Sequence, residues 1–427
     1  MKEKLENLLT LAQAKGASHS EVYQVQSQSC PVFFEGNRLK QLENSQATGT
    51  ALRLWYNDCP GVAVAYGAIE PEILVEKAIA ISQLNNPETI DLTPARTEIH
   101  QDNYQGLTVE KLINLGQEAI AKILDFEPDA ICSAEFDSET ETTIILNSQG
   151  LHCEFTDTTL SYFLGVELVR GEDFLGIYEG EDSKNTLNCD RSITSIQQRL
   201  AWAKGNTKSP KGKVPVLLTA NAATLLWDTV ASALNGKRVW ENSSPWSNNQ
   251  GKIIASECLS LTQKPQQQPY GCPFDDEGTP TQNLQLITAG ELKHFYCDRH
   301  IAKELGVAPT GNGFRPDLGS YPAPSLVNLI IEPGNSSLNG LIAQLDDGII
   351  VDQILGGGAD ISGDFSVNVE LGYRVKNGQV RGRIKDTAIA GNIYNIIKKN
   401  VILGNDLLWN GSCYTPSVIV EGISIVS

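Results

Sequence analysis

The sequence predicts an α+β fold in two parts: a mixed α+β N-terminal domain over residues 1–205 and a β-rich C-terminal domain over 206–427. Helical and extended patterns follow one another in mixed order, without the regular alternation that builds a parallel sheet. A polar, basic stretch, "KGNTKSPKGK" at 204–213, separates them and reads as a solvated boundary. Beyond it, Gly- and Pro-rich turns punctuate short apolar strands, and no repeat of fixed period is present.

The first element is a helix. In "MKEKLENLLTLAQAKG", Leu5, Leu8, Leu9 and Ala12 fall at helical spacing and Gly16 is placed to end it. Strand patterns follow in "EVYQVQSQS", "CPVFFEG", "TGTALRLWYN" and, after an "NDCPG" turn, "VAVAYG". "PEILVEKAIAISQLN" is a helix with Pro71 in its first turn, where a missing N–H costs nothing. A polar stretch over 87–107 leads to a second helix, "TVEKLINLGQEAIAKILDF", with Thr108 as its cap. Three strands are then expected, "ICSAEFDS", "ETTIILNSQG" and "LHCEFTDTTLSYFLGVELV", the last two joined by an "NSQG" hairpin turn. "ITSIQQRLAWAKG" closes this half as a helix. In the second half, "VPVLLT" is a strand and "TLLWDTVASALNG" a buried helix. "SLVNLIIEPG", "GIIVDQILGGG" and "PSVIVEGISIV" are strands, with a further helix at "AGNIYNIIKKN".

Composition removes several function classes. A formal charge of −18 and no cluster of Lys and Arg argue against direct nucleic-acid binding, which needs cations to displace phosphate counterions. No segment approaches the roughly 20 apolar residues of a membrane span, and the N-terminus lacks the pattern of a signal peptide. Nine scattered cysteines without a CxxC suit reduced thiols, so a cytoplasmic protein is expected.

Local motifs offer little chemistry. "CPFDDEGTP" gathers Asp275, Asp276 and Glu277, which could hold a hard cation, but the spacing is not that of an EF-hand, and an acidic turn is the simpler reading. "HFYCDRH" places His294, Cys297 and His300 three residues apart; on a helix the outer two would diverge by about 120°, so His300 would reach a shared ion poorly. "ILGGGADISGDF" lacks the Gly-Lys-Ser/Thr of a phosphate loop, and no G-x-S-x-G marks a serine hydrolase.

Taken together, several segments resemble the TldD/PmbA family, long labelled modulators of DNA gyrase. "PFDDEGTPTQNLQLITAGELKHFYCDRHIAKELGVAPTGNGFRP" is similar to the family's central signature, an acidic DDEG turn followed by a TGN turn at Thr310, Gly311 and Asn312. "GGGADISGDFSVNVELGYRVKNGQVRGRIKDTAIAGNIYNIIKKNVILGNDL" resembles its C-terminal signature, with Asp364 in SGDFS. The resemblance spans the chain, more loosely in its first half, and implies a two-domain TldD/PmbA-like fold.

It also implies a role. TldD-like members are zinc metallopeptidase subunits with an HExxxH helix; PmbA-like (TldE) members lack the motif and pair with a TldD-like subunit. In "LLWDTVAS", Trp227 occupies the first His position, Asp228 the Glu position and Ser232 the second His position. Indole nitrogen is a donor only and cannot ligate zinc, and serine substitutes poorly for imidazole. The expectation is a catalytically silent PmbA/TldE-like subunit with no cofactor of its own, zinc lying in a TldD-like partner, and unfolded peptides as substrates. A homodimer remains open. The DDEG and TGN residues and Asp364 are candidates for lining the peptide chamber. Two alternatives stand beside this: a free-standing homodimeric metallohydrolase with a relocated site at His294, Cys297 and Cys413, or a gyrase-modulating binding protein.

Overall fold

The computed structural model describes residues 2–426. The first half is built on a nine-stranded, mostly antiparallel sheet with the path Arg38–Leu42, Val32–Glu35, Ile131–Asn147, His19–Ser29, Ser45–Tyr56, Cys59–Tyr66. Strand Leu151–Arg170 branches from Ile131–Asn147 and carries Arg96–Gln101 and Asp173–Ser183 on its other side. Helix Lys2–Ala14 buries Leu5, Leu8 and Ala12 against this sheet, beside helix Pro71–Ser82. Helix Val109–Phe126 starts at Thr108, whose hydroxyl accepts from the N–H of Lys111 at 3.4 Å. It packs with helix Asp190–Trp202 on the same sheet.

The hairpin expected at "NSQG" forms, with Leu146 opposite His152. The two strands expected before it are one continuous strand, Ile131–Asn147, because "SETET" contains no Gly or Pro to interrupt the extended backbone. Strand Arg96–Gln101 lies within the polar stretch and pairs in parallel with Leu151–Arg170; its mostly exposed side chains gave it no apolar alternation to read.

The second half contains a nine-stranded mixed sheet and a six-stranded sheet. The larger one includes Val216–Leu218, parallel to Asp347–Leu355, and Asp364–Lys376 beyond it. The smaller one ends in Cys413–Thr415 and the edge strand Leu408–Asn410. Helix Ala220–Leu234 is rich in Ala and Leu and buries Leu226, Trp227, Val230 and Leu234 in a core shared with both sheets. A second core cluster runs across position 205: Ile196 and Leu200 of helix Asp190–Trp202 share it with Leu217, Ile350, Tyr373 and Ile419.

Two helical expectations are corrected. "AGNIYNIIKKN" supplies only the short helix Ile393–Ile396, because Thr387–Asn392 is held in the larger sheet and Asn392 then caps the turn by accepting from Asn395 N–H at 3.1 Å. "HFYCDRH" is not a helix through His294 and Cys297. Helix Arg299–Leu305 begins after Asp298, whose carboxylate accepts from Ile301 N–H at 2.7 Å and fixes the start there.

Candidate functional site

Helix Ala220–Leu234 stands beside a cleft of about 630 Å³. The helix turns two neighbouring residues to opposite environments. Trp227 is 0% exposed, and its Nε1–H donates to Thr415 Oγ1 at 2.6 Å. Asp228 faces the cleft, where it is solvent-accessible and accepts no hydrogen bond among the described residues. Burial by the surrounding walls pushes its carboxyl above the ordinary range. Ser232, one turn further on, is half-buried and does not line the cleft.

Strand Asp173–Ser183 forms the opposite wall through Tyr178–Asp182. Its hairpin with Leu151–Arg170 is closed by a two-residue turn at Gly171 (φ 66°) and Glu172, with Arg170 opposite Asp173. In such a hairpin the closing pair exchanges both hydrogen bonds, so Phe174, Gly176, Tyr178, Gly180 and Asp182 aim their backbone groups at the free edge. Two arginines cover part of that edge: Arg383 Nη1 donates to Phe174 O at 2.9 Å and Arg199 Nη1 to Tyr178 O at 3.3 Å. At Gly180 and Asp182 no side chain caps the edge among the described residues, and both line the cleft.

Arg199 also joins the two halves of the chain. Its guanidinium lies 2.7 Å from Glu179 Oε1 and 3.2 Å from Asp352 Oδ2, with all three side chains nearly fully buried. Burial raises the Glu179 pKa, opposed by the Arg199 charge. Asp182 accepts from the hydroxyl of Tyr270, whose ring packs edge-on against Trp409 with centroids 5.1 Å apart. Trp409 in turn stacks on Tyr414 at 4.6 Å, and Phe163 on Tyr178 at 5.9 Å. The Gly356–Gly358 run forms part of the mouth, with no side chain crowding it.

The DDEG and TGN turns lie elsewhere, in a buried clamp. Asp275 Oδ1 accepts from the N–H of Glu277 (3.0 Å) and of Thr279 (2.8 Å), and its Oδ2 from Gly313 N–H (2.8 Å). Asp276 accepts from Arg315 N–H at 2.7 Å, and Glu277 from Arg299 N–H at 2.9 Å. Thr310 Oγ1 accepts from Cys297 N–H at 2.7 Å, and Asn312 Nδ2 donates to Gln263 Oε1 at 2.7 Å. Gly311 has φ 70°, and a Cβ there would meet Pro280 O at 2.2 Å, so the turn requires glycine. Arg315 and Arg53 both pair with Glu21, at 2.7 and 3.1 Å, which ties the clamp to the first sheet. Burial pushes Asp276 to about 6 and Glu277 to about 7, and it holds Asp275 well above the carboxylate range. None of these residues lines the cleft. Asp364 is exposed at the start of its strand and accepts from Asn392 Nδ2 at 2.9 Å.

The donor set does not fit zinc. Trp227 offers only an N–H, already committed to Thr415, and Ser232 supplies a neutral hydroxyl. Cys413 is buried near Asp228, and burial pushes its thiol far up, away from the thiolate a metal needs. The structure does not bring His294, Cys297 and Cys413 together. His294 is exposed and bonded through Nδ1 to Gln285 O at 2.7 Å, while Cys297 packs against Ile301 and Ala302. Among the described residues, no three His, Cys, Asp or Glu side chains form a group that could hold a metal.

Sequence reasoning missed Glu179, Asp352, Glu370, Tyr270 and Trp409. They come from five separate elements, and the alternating acids of "YEGEDS" were the one local sign of a polar-walled strand.

Fold and site thus define an α+β chain whose central helix presents a carboxylate, but no ligand set for zinc, to a deep cleft with an open strand edge. The chain belongs to the PmbA/TldD family: the family model described as "PmbA/TldA metallopeptidase C-terminal domain" matches residues 211–427, and that for "PmbA/TldA metallopeptidase domain 1" matches 20–82. It is similar to the "Metalloprotease PmbA homolog" of Haemophilus influenzae, 24% identical over 416 residues covering 91% of this chain and 88% of that protein. The "Metalloprotease TldD homolog" of Buchnera aphidicola is 33% identical over 231 residues, 53% of this chain and 48% of that protein. In fold it resembles TldE from Thermococcus kodakarensis, with a TM-score of 0.89 and 23% identity over 99% of each chain. A Thermotoga maritima protein labelled a modulator of a DNA gyrase has a TM-score of 0.86 and 24% identity over 100% of each chain. No described helix is long and apolar enough to cross a membrane.

Proposed function

We propose that this chain is a non-catalytic, TldE-like subunit of a TldD-type zinc metallopeptidase, pairing with a TldD-like subunit and presenting extended peptide to it. The observation that carries this reading is the split at the helix over the cleft: Trp227 is turned into the core and bonded to Thr415, while Asp228 is the helix's one carboxylate on the cavity. A carboxylate in that place can accept a proton, but it has no metal-bound water to act on.

The cleft supports a peptide-holding role. The free edge at Gly180 and Asp182 offers the backbone groups to which an unfolded segment adds as a strand, independently of its sequence. Zinc would be held by the partner; the residues of this chain would bind, orient and shield the peptide. The cytoplasm is the expected compartment, given nine cysteines none of which forms a disulfide.

The test is a cleavage assay on an unfolded peptide with three samples: this chain alone, a TldD-like subunit alone, and the two mixed. The proposal expects efficient cleavage only in the mixture. Chelator-sensitive cleavage by this chain alone would instead favour a free-standing metallohydrolase.

A further inference from the structure

The cleft carries a charge pattern that a sequence-independent peptide groove does not need. Six carboxylates line it: Glu179, Glu181, Asp182, Asp228, Asp352 and Glu370. No Lys, Arg or His stands among its lining residues. Behind the wall, one guanidinium, Arg199, is shared between Glu179 and Asp352. The other four acids make no ion pair among the described residues, although Lys184 and Arg191 line the smaller cavity that shares Glu181 and Asp182: Glu181 and Asp182 are met by the hydroxyls of Tyr162 and Tyr270, and Asp228 and Glu370 by no hydrogen bond.

A second observation is independent of this count. Asp352 is 1% exposed, yet its Oδ2, although within ion-pair distance of Arg199 Nε, accepts no hydrogen bond; on the adjacent residue Gln353 Oε1 is likewise buried without a partner. Buried acceptors are ordinarily satisfied, so Gln353 Oε1, which has neither a hydrogen bond nor an ion pair among the described residues, marks a place where a donor belongs. The aromatic walls point the same way. Phe163, Tyr178 and Trp409 line the cleft, and aromatic rings attract ammonium and guanidinium groups through their quadrupoles.

We propose that the cleft selects peptide segments carrying Lys or Arg, the cationic side chain entering between the aromatic walls and donating to the carboxylates around Asp352 and Asp228. This deepens the proposed function and rests on it: the open strand edge holds the backbone, and the acidic chamber chooses the side chain. Low-dielectric walls of one charge sign concentrate field lines in the cleft, which favours cationic segments in both capture and residence.

The experiment uses the full chain and matched unstructured peptides carrying lysine, glutamine or glutamate at the same positions, with binding followed by calorimetry. The expected order is lysine over glutamine over glutamate, with the lysine peptide about tenfold tighter than the glutamine peptide and the gap narrowing with salt. The variant Asp228→Asn/Glu370→Gln, which touches two carboxylates without partners, is expected to remove most of that preference. Glu257→Gln/Glu304→Gln, which neutralises two exposed acids off the cleft, is expected to leave it intact. Equal binding of all three peptides would overturn the charge selection while leaving the peptide groove standing. A preference lost equally in both variants would overturn it too, as a property of the −18 overall charge. Binding of none of the peptides would remove the groove itself.

Discussion

Trp227 and Thr415 form a buried hydrogen bond of 2.6 Å between the helix over the cleft and the six-stranded sheet, and both side chains are 0% exposed. On the proposed reading, the indole thereby fills with packing the place that the family resemblance assigns to a zinc ligand. Asp228, its neighbour in sequence, lies on the cleft side and accepts no hydrogen bond among the described residues.

The bond gives a graded pair of variants. Trp227→Phe keeps most of the apolar volume but leaves Thr415 Oγ1 without its donor, at a cost of about 1–2 kcal/mol. Trp227→Ala adds a cavity and is expected to cost about 3–5 kcal/mol. Urea unfolding with both variants checks the order.

The acidic clamp makes stability depend on pH. Burial raises Glu277 from its ordinary 4.5 to about 7 and Asp276 from 3.8 to about 6. A group whose folded pKa is raised contributes its full stability below the unfolded value, and that contribution is lost as pH rises through the folded value. For these two the window is about pH 4 to 7. Glu277→Gln, fixed in the neutral form, is expected to gain stability relative to the parent as pH goes from 5 to 8, by at most about 1.4 kcal/mol per pH unit. Denaturant midpoints of both proteins across that range measure it.

Arg199 neutralises buried carboxylates from both halves of the chain. Arg199→Ala leaves Glu179 and Asp352 buried without their cation, and a loss of about 3–5 kcal/mol is expected. Arg199→Lys restores charge but cannot also reach the Tyr178 carbonyl in the same geometry, so it should recover only part of the loss. Chemical denaturation of the two variants separates charge from geometry.

Two glycines form a contrast. Gly311→Ala meets both a positive φ of 70° and a carbonyl 2.2 Å away, so it should destabilise by more than about 1 kcal/mol. Gly357→Ala, at the cleft mouth, meets nothing within 4 Å and has no such φ; a change within about 0.5 kcal/mol is expected. Thermal melts of both variants decide.

Much of the fold was legible because its signals are local. Leu5, Leu8 and Ala12 at helical spacing, the turn before Leu151 and the Thr108 cap each need only a few neighbours in sequence. The helix reading through His294 failed because Asp298 caps the next helix, and nothing local says which of several polar residues will do so. The site divides the same way. Trp227, Asp228 and Ser232 were found through one motif-length stretch, and the structure places only Asp228 on the cleft. The clamp residues Asp275 to Glu277 stand out in sequence as acids, yet their carboxylates are spent on backbone N–H groups. Glu179, Asp352 and Trp409 meet only in three dimensions, and sequence spacing carries no record of that meeting.

The most direct test of the account is the zinc content of the chain purified without chelator or affinity-tag metal. With Trp227 committed to Thr415 and no ligand group assembled elsewhere among the described residues, the account predicts zinc far below one per chain. A stoichiometric zinc, retained through dialysis, would contradict it: a metal site would then exist on this chain, and the silent-subunit reading would fall.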